Sequence, residues 1–405
     1  MKTNPTQTID ELITALSFII DVEGKEEFYH AWRVAILAAK FSSKVGPKKR
    51  KEIFYAALLH DVGGIGLVRH IIHFLKQENK NNRNALLSHP IIGGQLVSII
   101  PRMNPSAKLI LDHHEWFNGL GYPRGKINKY IPLGSQLIRA ADSIDIAMRY
   151  KRYKKLKAIR IRIMESANKE ISKNISTLAI NTLKKQRFFY TILNEGNIPK
   201  VFYEIKEDVG QIHMAKGIDT IGRTLEVIAQ IIDMKHPFTA GHSTRVARYA
   251  MAIALAMKLE HDEVTRIRWA GLIHDIGKLT VSRKILDKPT KLTKDEFMRI
   301  KQHPGVTHKM LDMIPTLREI APIAAGHHEY FNGSGYPLGL KAKEAIIGAR
   351  ILTVCDAFDA MTSNRPYRKP YTPQQACQQI RKLSGIQFDP EIVKVAIGIF
   401  KNLSA

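Results

Sequence analysis

Apolar positions recur at a spacing near 3.6 residues along Val246 to Leu259 and Ile218 to Ile232, whereas stretches that alternate apolar and polar are scarce. That periodicity predicts helices of ordinary length and little sheet. The pattern also occurs twice. Residues 9–182 return, in order, in residues 218–404, so a repeated structural unit is expected. The stretch Ile171 to Leu183 resembles Phe388 to Ile399 and closes the first copy. The prediction is an all-α chain of two tandem helical bundles, residues 1–195 and 216–405, joined by a helical or loop linker over 196–215.

The landmarks that carry the repeat are polar. Ile-Ile-Asp21 precedes His30 by nine residues, and Ile-Ile-Asp233 precedes His242 by nine. His60-Asp61 and His274-Asp275 each end an apolar stretch of helical spacing. His89 and His303 follow 29 residues after the His of these pairs, and the triplets His113-His114-Glu115 and His327-His328-Glu329 begin 24 residues later. Both triplets lead into an Asn-Gly-x-Gly-Tyr-Pro segment whose glycines and proline predict a tight loop, and Asp142 and Asp356 follow 28 residues after the second His. Ten of the 16 histidines lie in this pattern, which is hard to attribute to packing.

Composition narrows the chemistry. An apolar fraction of 44% in 405 residues supports sizeable folded cores. No apolar run approaches the roughly 18–20 residues needed to span a bilayer, and Met1 to Asp10 lacks the blocks of a signal peptide, so a cytoplasmic protein with no transmembrane segment is expected. Two cysteines, Cys355 and Cys377, exclude a disulfide framework and a Cys-rich zinc site, leaving the histidines to carry any metal. Cys355, beside Asp356, is read as a small buried residue. The net charge of +25 favours anionic partners. Its densest runs, Lys48 to Lys51 and Arg149 to Arg162, lack interleaved stacking aromatics and read as solvated helix faces, so nucleic acid is not the expected ligand.

Imidazole nitrogens and carboxylate oxygens are ordinary ligands for divalent transition metals, and adjacent His-Asp and His-His pairs can address two neighbouring ions. A carboxylate can bridge two cations about 3.5–4 Å apart, a hydrolytic arrangement.

These residues give both halves a resemblance to HD-GYP domains of the HD phosphohydrolase superfamily. In the second half the signature comprises His274-Asp275-Ile-Gly-Lys278, His303-Pro, His327-His328-Glu329, Gly-Ser-Gly-Tyr-Pro, and the segment from Asp356 to Arg368, Asp-Ala-Phe-Asp-Ala-Met-Thr-Ser-Asn-Arg-Pro-Tyr-Arg. The resemblance implies an all-helical fold around a bi- or trinuclear centre, usually of iron or manganese, that hydrolyses cyclic di-GMP to pGpG and often to GMP. Some members of the family prefer cyclic GMP-AMP. By resemblance the second-copy metal ligands are His242, His274, Asp275, His303, His327, His328 and Asp356, with Asp275 as the bridge and two ions per site. Lys278 is expected at the scissile phosphate, and Arg365 and Arg368 at the substrate phosphates, as guanidinium forks suit. Tyr336 is open to two readings, loop packing and substrate contact.

The first copy keeps His30, His60, Asp61, His89, His113, His114 and Asp142, but Gly64 stands where the second has Lys278. A slower first site is expected, since loss of an electrostatic stabiliser costs on the order of a hundredfold in rate. Lys151 and Lys154 align with Arg365 and Arg368, and Tyr153 with Tyr367. Glu26 lies four residues before His30, where some family members place a carboxylate for a third metal; the second copy has Phe238 there. Three metals in the first copy and two in the second is one reading, and a solvated Glu26 beside Glu27 is its rival. Three functions follow: a cyclic-dinucleotide phosphodiesterase acting mainly in the second domain, a degenerate nucleotide-binding module that regulates or scaffolds signalling proteins, and an HD hydrolase of mononucleotides or nucleic acid, against which the Gly-Tyr-Pro loop speaks.

Overall fold

The computed structural model describes residues 4–22, 29–64, 80–149, 156–184, 186–213, 219–235, 240–364 and 369–402. Glu26, Lys151, Tyr153, Lys154, Phe238, Arg365, Tyr367 and Arg368 lie outside them. The chain divides into two compact units, one spanning Pro5–Arg223 and one built on Thr224–Ala405. Both are helical. Among the described residues the only β-type pairings are isolated bridges, and these too repeat: Asn118 with Ile127 and Asn332 with Lys341, Ala167 with Ile171 and Ser384 with Phe388. No helix among them is long and apolar enough to cross a membrane.

The first unit is organised about the helix His30–Phe41, of which every residue but Lys40 is buried. Such a helix must be covered on all sides. Helices Pro47–Leu58, Leu133–Arg149 and Ile198–Val209 pack against it. The last of these lies in the stretch that the sequence assigns to a linker. Its buried stripe of Ile198, Phe202, Ile205 and Val209 returns every three to four residues, and Phe202 stacks on Trp32 with ring centroids 4.1 Å apart. Lys206 places its ammonium 2.8 Å from both Asp10 and Thr14 on the first helix, Pro5–Val22.

The second unit repeats the plan. Helix His242–Ala256 packs against His261–Ile273, Ile347–Thr362 and Pro390–Asn402. Phe400 from the last of these stacks on Phe358 at 3.8 Å. Asp233 accepts from the Ser243 hydroxyl at 2.7 Å, so the Asp of the second Ile-Ile-Asp landmark holds the start of the helix that begins with His242.

One close approach sets the distance between two segments that carry candidate ligands. The 3₁₀ turn Ile276–Thr280 follows His274-Asp275 and lies against helix His303–Asp312. A Cβ at Gly277 would stand 2.1 Å from the His303 carbonyl oxygen, and one at Gly63 would stand 2.2 Å from that of His89. Thr307 stitches the contact, accepting from the Gly277 amide at 3.0 Å and donating to the His274 carbonyl at 3.1 Å. Gly277→Ala is therefore expected to lower the stability of the second unit by roughly 1–3 kcal/mol, the usual cost of forcing extra atoms into a packed contact. Calorimetric melting checks this, and an unshifted transition would rule out the close approach.

Candidate metal centre

In the second unit every candidate ligand but Asp356 sits where a helix ends or begins. His274 and Asp275 follow helix His261–Ile273, His303 opens helix His303–Asp312, and His327 and His328 follow helix Ala321–Ala325. His242 opens its own helix and Asp356 lies within Ile347–Thr362. The turns that join these elements bring all seven side chains together.

Asp275 is the centre of the cluster. Its Oδ2 is 3.5 Å from His274 Nε2 and 3.8 Å from His242 Nε2, while its Oδ1 is 3.3 Å from His303 Nε2 and 3.7 Å from His327 Nε2. Asp356 Oδ1 adds to the first side, 3.4 Å from His242 Nε2. Donor atoms of His242, His274 and Asp356 converge within 4.8 Å of one another, and so do those of His303, His327 and His328. The first unit has the same layout. Asp61 Oδ2 faces His30 and His60, each at 3.5 Å, and Asp61 Oδ1 faces His89 at 3.5 Å and His113 at 3.8 Å.

The backbone sets the tautomers. His274, His303 and His327 each donate Nδ1–H to the carbonyl three residues earlier, at Gly271, Ile300 and Ala324, over 2.6–2.8 Å. His60, His89 and His113 do the same with Ala57, Leu86 and Ile110. An imidazole that donates from Nδ1 presents a lone pair at Nε2, the atom directed into the cluster. His242 and His30 instead donate Nδ1–H to Asp359 at 2.8 Å and to Asp145 at 2.7 Å, and Arg245 and Arg33 hold those carboxylates in turn.

The donor set fits divalent metal ions. His274 Nε2 and Asp275 Oδ1 are buried and make no hydrogen bond. Buried polar atoms without partners are rare and costly, and a cation between them would satisfy both. Burial holds the His328 imidazole down at about 3 and His327 well below its ordinary range, so both are neutral. Burial pushes the Asp275 carboxyl up, but Lys278 and His274 outweigh it and keep the group well below the usual carboxylate range.

Lys278 lies half-buried with its Nζ 2.6 Å from Asp275 Oδ2. The first unit has Gly64 at that place in the matching 3₁₀ turn. Tyr336 packs its ring on His328, with centroids 4.8 Å apart, and its amide donates to the His328 carbonyl at 3.0 Å. Cys355 is fully buried, and burial pushes its thiol up.

Sequence reasoning missed three groups. Asp145 and Asp359 orient the first histidine of each set, and an Asp three residues after Asp142 and Asp356 in both copies was the available signal. The Glu of each His-His-Glu triplet is a buried loop clamp. Glu329 accepts from the amides of Leu338 and Leu340 at 2.7 and 2.9 Å, and Glu115 from those of Arg124 and Lys126 at 2.6 and 2.7 Å. The third is Arg139, a buried guanidinium against the first site.

A family model described as HD domain matches residues 15–171 and 226–392. The chain is 31% identical over 284 residues to the 3'3'-cGAMP-specific phosphodiesterase 3 of Vibrio cholerae, a match that covers 69% of this chain and 59% of that protein. It is 32% identical over 251 residues to a cyclic di-GMP phosphodiesterase of Thermotoga maritima, covering 62% and 64%. The chain thus matches less than two thirds of the length of either relative. A solved structure of the cyclic GMP-AMP-specific phosphodiesterase V-cGAP3 from V. cholerae shares the fold, with a TM-score of 0.63 at 22% identity over 98% of both chains.

If Asp359 orients His242 for a metal, Asp359→Asn is expected to weaken divalent-metal affinity of the second unit by roughly 10–100-fold, as loss of such outer carboxylates does elsewhere. Competition of the full chain against a chelating dye measures it. An affinity equal to that of the wild type would remove Asp359 from the centre.

Proposed function

Since the chain belongs to the HD domain family, as a tandem HD-GYP protein, we propose that its second unit is a metal-dependent phosphodiesterase that hydrolyses a cyclic dinucleotide, cyclic di-GMP to pGpG and onward to GMP. The observation that carries this reading is the Asp275 carboxylate, whose two oxygens face separate histidine pairs at 3.3–3.8 Å. One carboxylate so placed is suited to bridge two cations.

His242, His274 and Asp356 would hold one ion and His303, His327 and His328 the other, with Asp275 shared. Imidazole and carboxylate donors suit iron or manganese. When bound, such a pair supplies Lewis acidity at the phosphoryl oxygens and lowers the pKa of water. The protein's own part is positional. The Nδ1–H bonds fix the imidazoles of His274, His303 and His327, Asp359 orients His242, and the Glu329 clamp holds the Gly-Tyr-Pro loop so that Tyr336 covers His328. Lys278 brings a positive charge to the edge of the site, where it would neutralise charge gathering on the phosphate. Arg365 and Arg368 are assigned to the substrate phosphates by family resemblance.

The two sites also differ in exposure at one ligand candidate. Asp356 is 19% exposed, against 4% for Asp142. With Gly64 in place of the lysine, the first unit is assigned a slower or regulatory role. Cyclic GMP-AMP is the alternative substrate, favoured by the name of the V. cholerae relative.

Purified full-length protein loaded anaerobically with iron or manganese should convert a cyclic dinucleotide to linear product, identified by mass spectrometry with both cyclic di-GMP and cyclic GMP-AMP supplied. His274→Ala with Asp275→Ala should abolish the product, and undiminished hydrolysis by that variant would reject the assignment. Lys278→Ala should slow turnover on the order of a hundredfold. A rate equal to the wild type would leave Lys278 without a role in the chemistry.

A further inference from the structure

The two units share a ligand set but differ at one corner of it. In the first unit Arg139 is buried with its Nη1 3.1 Å from Asp142 Oδ2 and 3.3 Å from His114 Nδ1. Glu170 holds the guanidinium from the other side, Oε2 lying 2.5 Å from Nη2 and 3.1 Å from Nε, and Arg162 reaches Glu170 Oε1 at 2.5 Å. The arginine is therefore fixed between two metal-ligand candidates and a counter-charge.

The second unit has neither member of this pair. One helical turn before Asp356 stands Thr353, whose hydroxyl turns back to the Ala349 carbonyl at 3.0 Å. Gln387 takes the place of Glu170. The correspondence is structural, since the Glu170 carbonyl accepts from Phe117 N at 3.1 Å and the Gln387 carbonyl accepts from Phe331 N at 3.1 Å.

The consequence lies in the imidazole of His114. A neutral imidazole has one lone pair and one N–H. His60, His89 and His113 spend the N–H on a backbone carbonyl and keep the lone pair at Nε2. His114 receives Arg139 at Nδ1, so its lone pair is used there and its proton resides on Nε2. The donor atom of His114 converges with those of Asp61, His89 and His113, and in this tautomer neither nitrogen offers a free lone pair to a cation while the guanidinium stays in place. Asp142 has one oxygen committed to the same guanidinium, and a fixed positive charge at this range repels a divalent ion.

We propose that Arg139 competes with the divalent cation that His89, His113 and His114 would hold, so that the first unit holds one ion fewer than the second. This rests on reading the clusters as metal centres. Arg139 here is a positioning residue that acts through the ligands and sets metal occupancy, and it makes the duplicated sites unequal by a route separate from Gly64.

The test uses the full chain and manganese. Stripped protein is equilibrated with Mn(II), freed of unbound ion and measured by plasma mass spectrometry alongside Arg139→Thr/Glu170→Gln, which installs the second unit's residues. The reverse exchange, Thr353→Arg/Gln387→Glu, is measured in parallel. The first variant is expected to gain about one ion per chain and the reverse variant to lose about one, as expected if each guanidinium excludes a single ion of a two-metal site. Unchanged stoichiometry in folded variants would overturn the role of Arg139 and leave the proposed function standing. If the first variant does not fold, an unchanged count in the reverse variant overturns the inference by itself. Absence of bound manganese in every protein would instead refute the metal-centre reading beneath it.

Discussion

A carboxylate buried among imidazoles is the constraint around which each unit is built. Removing a charge such as that of Asp275 from water costs several kcal/mol unless partners surround it. Its surroundings supply Lys278 and four imidazoles but leave Oδ1 without a hydrogen bond. A helical bundle tolerates such a group only if the helices carrying the partners are held in fixed relation, and much of the second unit does that work. Gly277 lets helix His303–Asp312 approach the turn after Asp275 without a gap, and Thr307 ties the two backbones together.

Orientation of the ligands follows from where they lie on their helices. A histidine just past the last turn finds a backbone carbonyl with room for a donor three residues back, because the final carbonyls of a helix lack their i+4 partners within it. His60, His113, His274 and His327 use such carbonyls, so one group both completes the helix end and aims the ring. His30 and His242 begin their helices and donate to a carboxylate rather than to such a carbonyl. Asp145 and Asp359, buried on the neighbouring helix, take its place, and an arginine from the same turn as the histidine neutralises each of them.

Much of this was legible from spacing. The repeat located both clusters, and every ligand candidate within the described residues falls at one of the two. What spacing could not show was direction. Glu115 and Glu329 stand next to ligand histidines in sequence, yet their carboxylates point into the following loop, because successive residues leaving a helix face different ways. Arg139 was hidden for a different reason. It lies on a long helix among apolar neighbours, and only the fold reveals that Glu170, 31 residues away, waits to hold it. The stretch 196–215 reads as a connector by its glycines, whereas the apolar stripe of Ile198–Val209 commits it to the core of the first unit.

The Glu329 clamp has a bearing on how this scaffold could be re-engineered. Its two oxygens grip amides two residues apart, which makes the side chain a ruler for that stretch of loop. One added residue between those amides would strand an acceptor and a donor together, in the interior. Length changes meant to reshape the mouth of the site belong instead at the exposed Ser334, whose amide donates to the side chain of Asn332 two residues earlier.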